Sequence, residues 1–548
     1  MRINSKTGAD VVIAGTGIVG CLIAEQMLDA GLSVVMLEAG PDIDRGRIVE
    51  NYRNMPPSTK FLLPDGPFPP VPWALHPTAY TGNPEKDYLI TTGPDAKAYQ
   101  QTYVRYVGGS TWHWAGTLWR LTPEDMMIKS KFGRGRDWPF DYSVLEPYYT
   151  RAEDAIGAAG PSDPALQWPP IRSKPYMMEV FPYGSGQKRC AQAAESIGLR
   201  YIPCAQARNN KLAYQGRPPC SGNNNCQPVC PIAAKYDAYS SIPRIKAKGG
   251  ALLTHAVVYQ VETDDKNHVQ ALHYYAPDKS STRVTGKTFV LACNGIETPK
   301  VLLLSKNDKN PNGVANRSDQ VGRNMMDTPK MFVLAQFKEP VLNGLGPMSP
   351  GAIMSTSQGE FRSQYAGGQI LLVNLSGANT AGLNALKQKL VGRALDEAIR
   401  RETACGGVFS VEHEVLADAE NRLTLSDNKD VLGLNKPAIR YDVGDYVRKG
   451  ADLHTFPITE KLANALGAEK VTRVPGFFPS QHIMGGTIMG NDANTSVVDP
   501  DCRAHDHSNL FLPGGAAMPS GAAGNSTLTM AALAIKAADA IVGQTKRG

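Results

Sequence analysis

The sequence lacks a segment that could cross a membrane or direct export. Its longest apolar-looking segment, Leu528 to Val542, has 15 residues and contains Lys536 and Asp539, whereas a membrane-spanning helix needs about 20 predominantly apolar residues. The first ten residues, MRINSKTGAD, contain neither an apolar signal core nor a twin arginine. We therefore expect a cytoplasmic chain, or one that is exported while bound to a partner that carries the signal.

The sequence also lacks the charge and cysteine patterns of two other classes of protein. Its net charge of +6 is small for 548 residues, and no basic block interleaved with aromatics is present, which argues against nucleic acid as a partner. Nine cysteines at irregular spacing do not resemble a disulfide framework. The 42% of hydrophobic and 20% of charged residues are typical of a folded globular protein, and the length predicts two or more lobes.

The stretch 10–40, DVVIAGTGIVGCLIAEQMLDAGLSVVMLEAG, carries the most informative pattern. The apolar run Val11 to Ala14 predicts a buried strand, and a glycine turn and a helix with an apolar stripe follow it. Gly31 is expected to end that helix, and a second buried strand leads to Glu38. This is a G-x-G-x-x-G fingerprint between a strand and a helix, with an acid 18 residues after the third glycine, and it predicts a dinucleotide site.

Each residue of this fingerprint has a physical role. Gly15 permits the turn, Gly17 lets the backbone approach a pyrophosphate at the helix N-terminus, and Gly20 allows helix and strand to pack closely. Glu38 is expected to accept hydrogen bonds from ribose hydroxyls. The fingerprint leaves the choice between NAD and FAD open, and its alternative is a glycine-rich turn in an unrelated α/β unit.

A second glycine pair lies in RYVGGSTWHWAGTLWRLTPEDM, 105–126. Gly108 and Gly109 predict a backbone hairpin flanked by Trp112, His113 and Trp114, which suits a flat ring packed against exposed backbone. An aromatic-capped loop in a core is the alternative.

Dense prolines between residues 51 and 98 predict surface wrapping or a lid: Pro56, Pro57, Pro64, Pro67, Pro69, Pro70 and Pro72.

Three cysteines share one short polar loop, CSGNNNCQPVCP, 220–231. Cys220, Cys226 and Cys230 can point at a common centre, and the proline after the last of them is typical of ferredoxin-type cluster loops. A closed zinc site normally needs four protein ligands, and the next cysteine, Cys204, lies 16 residues upstream. Three thiolates therefore suit a 3Fe-4S cluster, and one disulfide plus a spare thiol is the alternative.

The rest of the chain alternates helices and strands. We predict a helix within 137–158, strands within 251–262 and 283–292, and a helix that begins at Thr298-Pro299. Residues 340–440 predict a β-rich lobe with one helix, 383–402. The last helix is expected to begin at Asn525-Ser526-Thr527, where its free amides would stabilise an anion.

With these motifs the chain resembles the glucose-methanol-choline (GMC) family of flavin oxidoreductases, and within it the large subunits of bacterial membrane-associated sugar and polyol dehydrogenases. The resemblance covers essentially the whole chain. It implies a mixed α/β fold, with a Rossmann-like FAD-binding domain of 1–120, 245–330 and 485–548. A connecting region of 121–244 would hold the cysteine loop, and a substrate domain of 331–484 would be built on an antiparallel sheet. The motifs that carry it are GTGIVG with LEAG, VGGSTWHW, CSGNNNCQPVCP, NGIETPKVLLLS, VGRNMMD, HIMGGTIMG and GNSTLTMAALA.

The resemblance implies that the dinucleotide is FAD, that His482 is the catalytic base and that Asn525 orients the alcohol beside it. It implies a 3Fe-4S cluster on Cys220, Cys226 and Cys230, and a covalent link between the flavin and His113 is predicted. The residues expected around FAD are Gly15, Gly17, Ile18, Val19, Gly20, Glu38, Ala39, Gly108, Gly109, Thr111, His113, Trp114, Ala115, Val258, Ala292, Asn294, Ala516, Asn525, Ser526 and Thr527.

The resemblance also implies partners: a multihaem cytochrome c subunit that passes electrons to quinone, and a small Tat-type subunit that carries the export signal. The chain would then lie at the periplasmic face of the inner membrane. Two departures from the family pattern stand out, Thr328 where many relatives have histidine and Ser221 where close relatives have cysteine. The alternatives are an oxygen-dependent sugar oxidase, a soluble NAD-dependent dehydrogenase and a non-enzymatic nucleotide-binding subunit.

Overall fold

The computed structural model describes residues 8–55, 67–77 and 80–546. Of the prolines predicted to form a wrapping segment, Pro56, Pro57 and Pro64 lie outside these residues. The described remainder of that segment is mostly loop, as predicted, with one short strand, Ile90–Thr92. Among the described helices, none has the length and apolar character needed to cross a membrane.

A seven-stranded mixed sheet forms the centre of the nucleotide-binding part. Its central strand, Ala9–Ala14, is buried and pairs in parallel with Val34–Leu37 on one side and Ser281–Leu291 on the other. A strand covered on both faces is apolar throughout, which explains the run VVIA. The order across the sheet is Val257–Thr263, Val269–Tyr275, Ser281–Leu291, Ala9–Ala14, Val34–Leu37 and Ala251–Leu253, with Leu510–Phe511 also paired to Ser281–Leu291.

Two helices from opposite ends of the chain pack together beside this sheet. Ile18–Asp29 follows the glycine turn and Thr527–Thr545 is the last helix, which also packs on Tyr142–Ile156. The buried face of the last helix is rich in alanine, including Ala531 and Ala538. Small side chains let helix backbones approach closely, so this face brings the N-terminus of the last helix to the glycine turn.

A second sheet of four antiparallel strands forms the predicted substrate domain. The strand order is Gly368–Leu372, Gly406–His413, Lys330–Phe337 and Ala468–Arg473. Successive side chains of a strand point to opposite faces. On one face Met331, Val333 and Ala335 join an apolar core, and the other face is the more polar one.

Two sequence predictions about helices are corrected by the structure. The single helix predicted for 383–402 is two helices, Ala378–Lys387 and Gly392–Cys405, because Lys389 adopts a left-handed backbone (φ 59°) between them. The helix predicted to begin at Thr298-Pro299 is Asn294–Leu304. The Asn294 side chain caps its first turn by accepting hydrogen bonds from the backbone amides of Ile296 and Glu297, at 2.8 and 3.0 Å.

The glycine pair at Gly108-Gly109 forms no hairpin. The chain turns there through a short 3₁₀ helix, Gly109–Trp112, which is preceded by Gly108 with φ 98°.

The remaining α-helices and one π-helical segment are Arg45–Asn54, Pro123–Met126, Ile128–Phe132, Ser185–Ser196, Ile242–Ala247, Gly444–Gly450, Ala451–Thr455 and Phe456–Ala465. The remaining strands are Thr117–Leu118, Ala159–Gly160, Met178–Glu179, Ile202–Pro203, Ala205–Gln206, Gly351–Ala352, Arg422–Lys429 and Asn435–Arg440.

Candidate active site

The glycine turn has the geometry that the fingerprint predicts. Gly15 has φ 101°, and a Cβ there would lie 2.5 Å from the carbonyl oxygen of Ala292. A Cβ on Gly20 would lie 2.1 Å from the carbonyl oxygen of Gly15. A Cβ on Gly17 would meet nothing within 4 Å, so Gly17 leaves open space in front of the helix N-terminus.

Glu38 lies at the end of the second strand and contacts this turn. Its carboxylate accepts hydrogen bonds from Thr16 Oγ1 at 2.5 Å and from the amide of Gly40 at 3.2 Å, and burial raises the pKa of the carboxyl. The same Thr16 hydroxyl accepts a hydrogen bond from the amide of Gly108 at 3.1 Å. Thr16, which sequence reasoning left without a role, therefore joins the two glycine loops of the site.

The loop that carries the predicted flavin contacts is held by one buried lysine. Lys235, 1% exposed, donates to the carbonyl oxygens of Thr111, Trp112 and Trp114 at 3.2, 2.9 and 2.6 Å. His113 lies within this arc with its Nε2 buried and without a hydrogen-bond partner. Burial, and then the charge of Lys235, lowers the pKa of His113 to about 3, so its ring is neutral at pH 7.

His482 and Asn525, 43 residues apart, are in direct contact. Asn525 Nδ2 lies 2.8 Å from His482 Nε2, and Thr328 Oγ1 forms a hydrogen bond with His482 Nδ1. An amide nitrogen can only donate, so Nε2 accepts, and the ring proton is on Nδ1 and is donated to Thr328. Burial, and then the charge of Lys330, lowers the pKa of His482 to about 3. The ring therefore presents a neutral, proton-accepting Nε2.

A buried aspartate holds the backbone of this site together. The carboxylate of Asp327 accepts hydrogen bonds from the amides of Thr328 at 2.7 Å, Ser480 at 2.8 Å and His482 at 2.9 Å, and from Gln101 Nε2 at 2.6 Å. The segment that bears Thr328, just before the strand Lys330–Phe337, is thereby bound to the segment that bears His482. Asp327 and Gln101 have no role in the sequence-based prediction, although Thr328 was already conspicuous as a departure from the family pattern.

The other predicted FAD residues lie at the start of the last helix, at the turn of Gly514 and near the second strand. Ser526 Oγ is buried without a hydrogen-bond partner at the start of the last helix, and Thr527 is the first residue of that helix. Val19 contacts the turn at Gly514, next to the segment of Ala516. Ala39 follows the second strand by two residues, and Val258 is the second residue of the strand Val257–Thr263.

The cysteine loop lies beside the loop 108–115, which carries predicted flavin contacts and is called the flavin loop below. None of the nine cysteines forms a disulfide. Cys226 Sγ accepts a hydrogen bond from Arg208 Nη1 at 2.8 Å, and Cys220 Sγ accepts one from the amide of Gly222 at 3.4 Å. Burial opposes ionisation of Cys226, but the Arg208 guanidinium outweighs it and the pKa of the thiol is lowered. Among the described residues, no group of three or more His, Cys, Asp or Glu side chains converges on a single metal ion.

Two buried cations contact the flavin loop, and one of them, Arg208, also contacts the cysteine loop. Arg208 donates through Nη1 to Cys226 Sγ and through Nη2 to the carbonyl oxygen of Ala115, at 2.8 and 2.5 Å. Lys235 donates only to carbonyl oxygens. Within the described ranges neither cation forms an ion pair with a carboxylate, although Arg208 and Lys235 are each 1% exposed. Buried charges are normally paired, so this region is suited to an anionic group.

Comparison with known families assigns the fold and the class of enzyme. Residues 10–330 and 417–534 match two family models that are both described as GMC oxidoreductase. The chain belongs to the GMC oxidoreductase family. This GMC protein is therefore an FAD-dependent oxidoreductase that acts on CH–OH groups, as the resemblance of its motifs implied.

Individual relatives of the GMC protein include dehydrogenases and oxidases. The fructose dehydrogenase large subunit of Gluconobacter japonicus is 47% identical over 547 residues, which cover 100% of both chains. The gluconate 2-dehydrogenase flavoprotein of Pantoea cypripedii is 23% identical and covers 98% of this chain and 94% of its own. Among solved structures, pyridoxine 4-oxidase from Mesorbium loti has a TM-score of 0.64 at 17% identity, and the match covers 97% of this chain and 98% of that one.

Proposed function

We propose that this protein is the catalytic flavoprotein subunit of a sugar or polyol dehydrogenase whose substrate resembles fructose. The observation that carries the proposal is the neutral His482, with an accepting Nε2 beside Asn525 at the start of the last helix. The 47% identity with a fructose dehydrogenase large subunit over the full chain supports the choice of substrate class.

The residues of the glycine turn and the flavin loop fit FAD. The open space at Gly17 admits a pyrophosphate at the helix N-terminus, and Gly109 lies over it, since a Cβ on Gly109 would be 3.1 Å from Gly17 Cα. The partnerless Nε2 of His113 and Oγ of Ser526 are buried polar atoms that a bound ring would satisfy. FAD supplies the two-electron acceptor for the hydride that leaves the alcohol carbon.

The chain's own residues move the proton and place the alcohol. His482 Nε2 takes the hydroxyl proton as general base, a contribution of about 10²- to 10⁴-fold in rate. Asn525, whose Nδ2 donates to Nε2 in the structure, hydrogen-bonds the same hydroxyl oxygen when the alcohol is bound and orients it. Thr328 holds the ring proton on Nδ1, so that Nε2 carries the lone pair that takes the proton. The free amides at Ser526 and Thr527 stabilise negative charge that develops at the end of the last helix.

The cysteine loop fits a 3Fe-4S cluster with Cys220, Cys226 and Cys230 as ligands. These three thiols belong to one short loop, and none of them is in a disulfide. The unpaired Arg208 and Lys235 supply the positive charge that a group of thiolates requires, and the Arg208 hydrogen bond already lies on Cys226. The cluster supplies a one-electron relay out of the two-electron site.

The proposal extends to partners and location. The cluster would hand electrons to a multihaem cytochrome c subunit and through it to quinone, and a small Tat-type subunit would carry the export signal. The chain would act at the periplasmic face of the inner membrane. Its 47%-identical relative is named as a large subunit, which supports an assembly with other subunits.

The proposed function is tested on the purified protein with a panel of fructose, gluconate, 2-ketogluconate, sorbitol and glucose. We expect a yellow protein that contains iron and sulfide, and whose flavin is bleached by one of these compounds without oxygen. An artificial electron acceptor should support turnover. Peroxide formation by an iron-free protein would instead establish an oxidase, and a colourless protein would refute the proposal.

The link between His113 and the flavin gives a separate prediction. Because His113 Nε2 is buried, neutral and without a partner, we expect it to form a covalent bond to the flavin in the holoenzyme. Acid precipitation of the wild-type protein should leave the yellow colour in the pellet, and His113→Ala should release it into the supernatant. His76→Ala, at a neighbouring buried histidine, is the matched control and should keep the colour in the pellet. Colour released from the wild type would show that no link forms.

A further inference from the structure

The polar face of the four-stranded sheet lies against the catalytic pair. Thr328, whose side chain contacts His482, precedes Lys330 by two residues, and Lys330 exchanges backbone hydrogen bonds with Phe478 at 2.8 and 2.9 Å. Residues two apart on an extended chain point the same way, so Lys330 faces the side on which His482 lies. The charge of Lys330 is one cause of the lowered pKa of His482, which agrees with this placement.

Three polar side chains form a row across this face. Lys330 is in register with Glu412, and Glu412 with Gln369. Lys330 Nζ lies 3.5 Å from Glu412 Oε1, and Gln369 Nε2 donates to Glu412 Oε2 at 2.6 Å. The next row along the strands contains Ser410, which is in register with Leu371. Lys330, Glu412, Gln369 and Ser410 would be apolar in a sheet face that only packed against a core, as Leu371 is.

Two atoms of these rows are buried without a hydrogen-bond partner: Gln369 Oε1 and Ser410 Oγ. Gln369 is 0% and Ser410 3% exposed. A buried polar atom that stays unsatisfied is costly, so each of these two atoms is available to a hydrogen-bonding group of a bound molecule. Both atoms belong to residues on the same face of the sheet as Lys330.

The segment that carries Asn525 approaches this part of the sheet through Trp119. A Cβ on Gly524 would lie 3.0 Å from Trp119 Cβ, and Trp119 belongs to the same apolar cluster as Leu371. Leu371 is the register partner of Ser410. Through Trp119, the residue that precedes the catalytic asparagine and the row that contains Ser410 lie in the same part of the molecule.

We infer that Gln369, Ser410 and Glu412 bind the hydroxyl groups of the sugar that are remote from the carbon being oxidised. Gln369 Oε1 and the Glu412 carboxylate accept hydrogen bonds from two hydroxyls, and Ser410 Oγ donates to or accepts from a third. Lys330 neutralises the buried carboxylate. The inference rests on the proposed function and names the residues that make a polyhydroxylated substrate preferred over a simple alcohol.

The test compares the sugar that is oxidised with its monodeoxy analogues. The wild-type enzyme should discriminate against at least two of these analogues, by roughly tenfold in kcat/KM for each hydrogen bond lost. Gln369→Leu and Ser410→Ala should each abolish the discrimination at one hydroxyl and raise KM, while the flavin and iron contents stay at wild-type levels. Ser410→Ala removes a single oxygen atom, so it keeps the test valid if Gln369→Leu folds poorly.

The matched control is Gln336→Leu. Gln336 lies on the same strand and the same face as Lys330, about 20 Å farther along at roughly 3.3 Å per residue. It should leave the discrimination unchanged. If the wild type oxidises a sugar but both site variants keep its discrimination against every monodeoxy analogue, this inference is wrong and the proposed function stands. If the wild type oxidises no sugar, both are wrong.

Discussion

His482→Ala is expected to slow sugar-dependent flavin reduction by about 10²- to 10⁴-fold, the range that a general base contributes. The contact with Thr328 keeps the ring proton of His482 on Nδ1, so Nε2 is the proton-accepting atom beside Asn525. Removing the ring leaves the hydroxyl proton without an acceptor. Flavin should remain bound, because the glycine turn and the flavin loop are untouched. Anaerobic stopped-flow absorbance of the flavin measures the effect.

The control for this prediction is His505→Ala. His505 forms a hydrogen bond with Ser496 Oγ at 2.9 Å and plays no part in the site, so flavin reduction should keep the wild-type rate. Rapid flavin reduction by His482→Ala would refute the assignment of the base.

Thr328→Val removes the acceptor for the Nδ1 proton and frees the ring to adopt the other tautomer. It should slow flavin reduction by less than His482→Ala does, with flavin binding intact.

The pH dependence follows from the lowered pKa of His482. The ordinary pKa of histidine is 6.5 and the pKa of His482 in the folded protein is about 3, so the folded protein keeps this ring neutral while the unfolded chain takes up a proton below pH 6.5. The contribution to stability is therefore fully present above pH 6.5 and is lost as the pH falls toward 3. Because His482 stays unprotonated between pH 7 and 5, its titration should not change the rate of flavin reduction over this range, which stopped-flow absorbance at each pH measures.

Cys226→Ser is expected to separate the two halves of the reaction. Sugar should still reduce the flavin, because no residue of the catalytic pair is changed. Transfer to a cytochrome c should fall to the level measured without enzyme, because a cluster that has lost a thiolate ligand does not assemble. Iron and sulfide analysis, and the electron paramagnetic resonance signal of the oxidised cluster, measure the loss directly.

Cys405→Ser is the matched control for this substitution. Cys405 is also buried, at the end of the helix Gly392–Cys405, but it lies outside the cysteine loop. It should retain the cluster and the transfer to cytochrome. A Cys226→Ser protein that keeps its full iron content and still reduces cytochrome would rule out Cys226 as a ligand.

Local patterns in the sequence predicted the local structure around the site well. The strand, glycine turn and helix at 9–29 and the start of the last helix at Thr527 are confirmed. The boundaries of other helices were wrong where a single residue decided them: the Asn294 side chain starts one helix earlier, and the left-handed Lys389 divides another. Such choices depend on one side chain or one dihedral angle, and periodicity over a dozen residues does not reveal them.

The sequence by itself determined the dinucleotide turn, the resemblance to the GMC family and the residue types available for catalysis, because each depends on neighbours along the chain. Only the tertiary structure decided that Thr328 meets His482 across 154 residues, that Arg208 joins Cys226 to the flavin loop, and that Lys330, Glu412 and Gln369 form one row. These contacts are set by strand register and by the packing of distant segments, and a shift of register by one residue would turn the row to the other face.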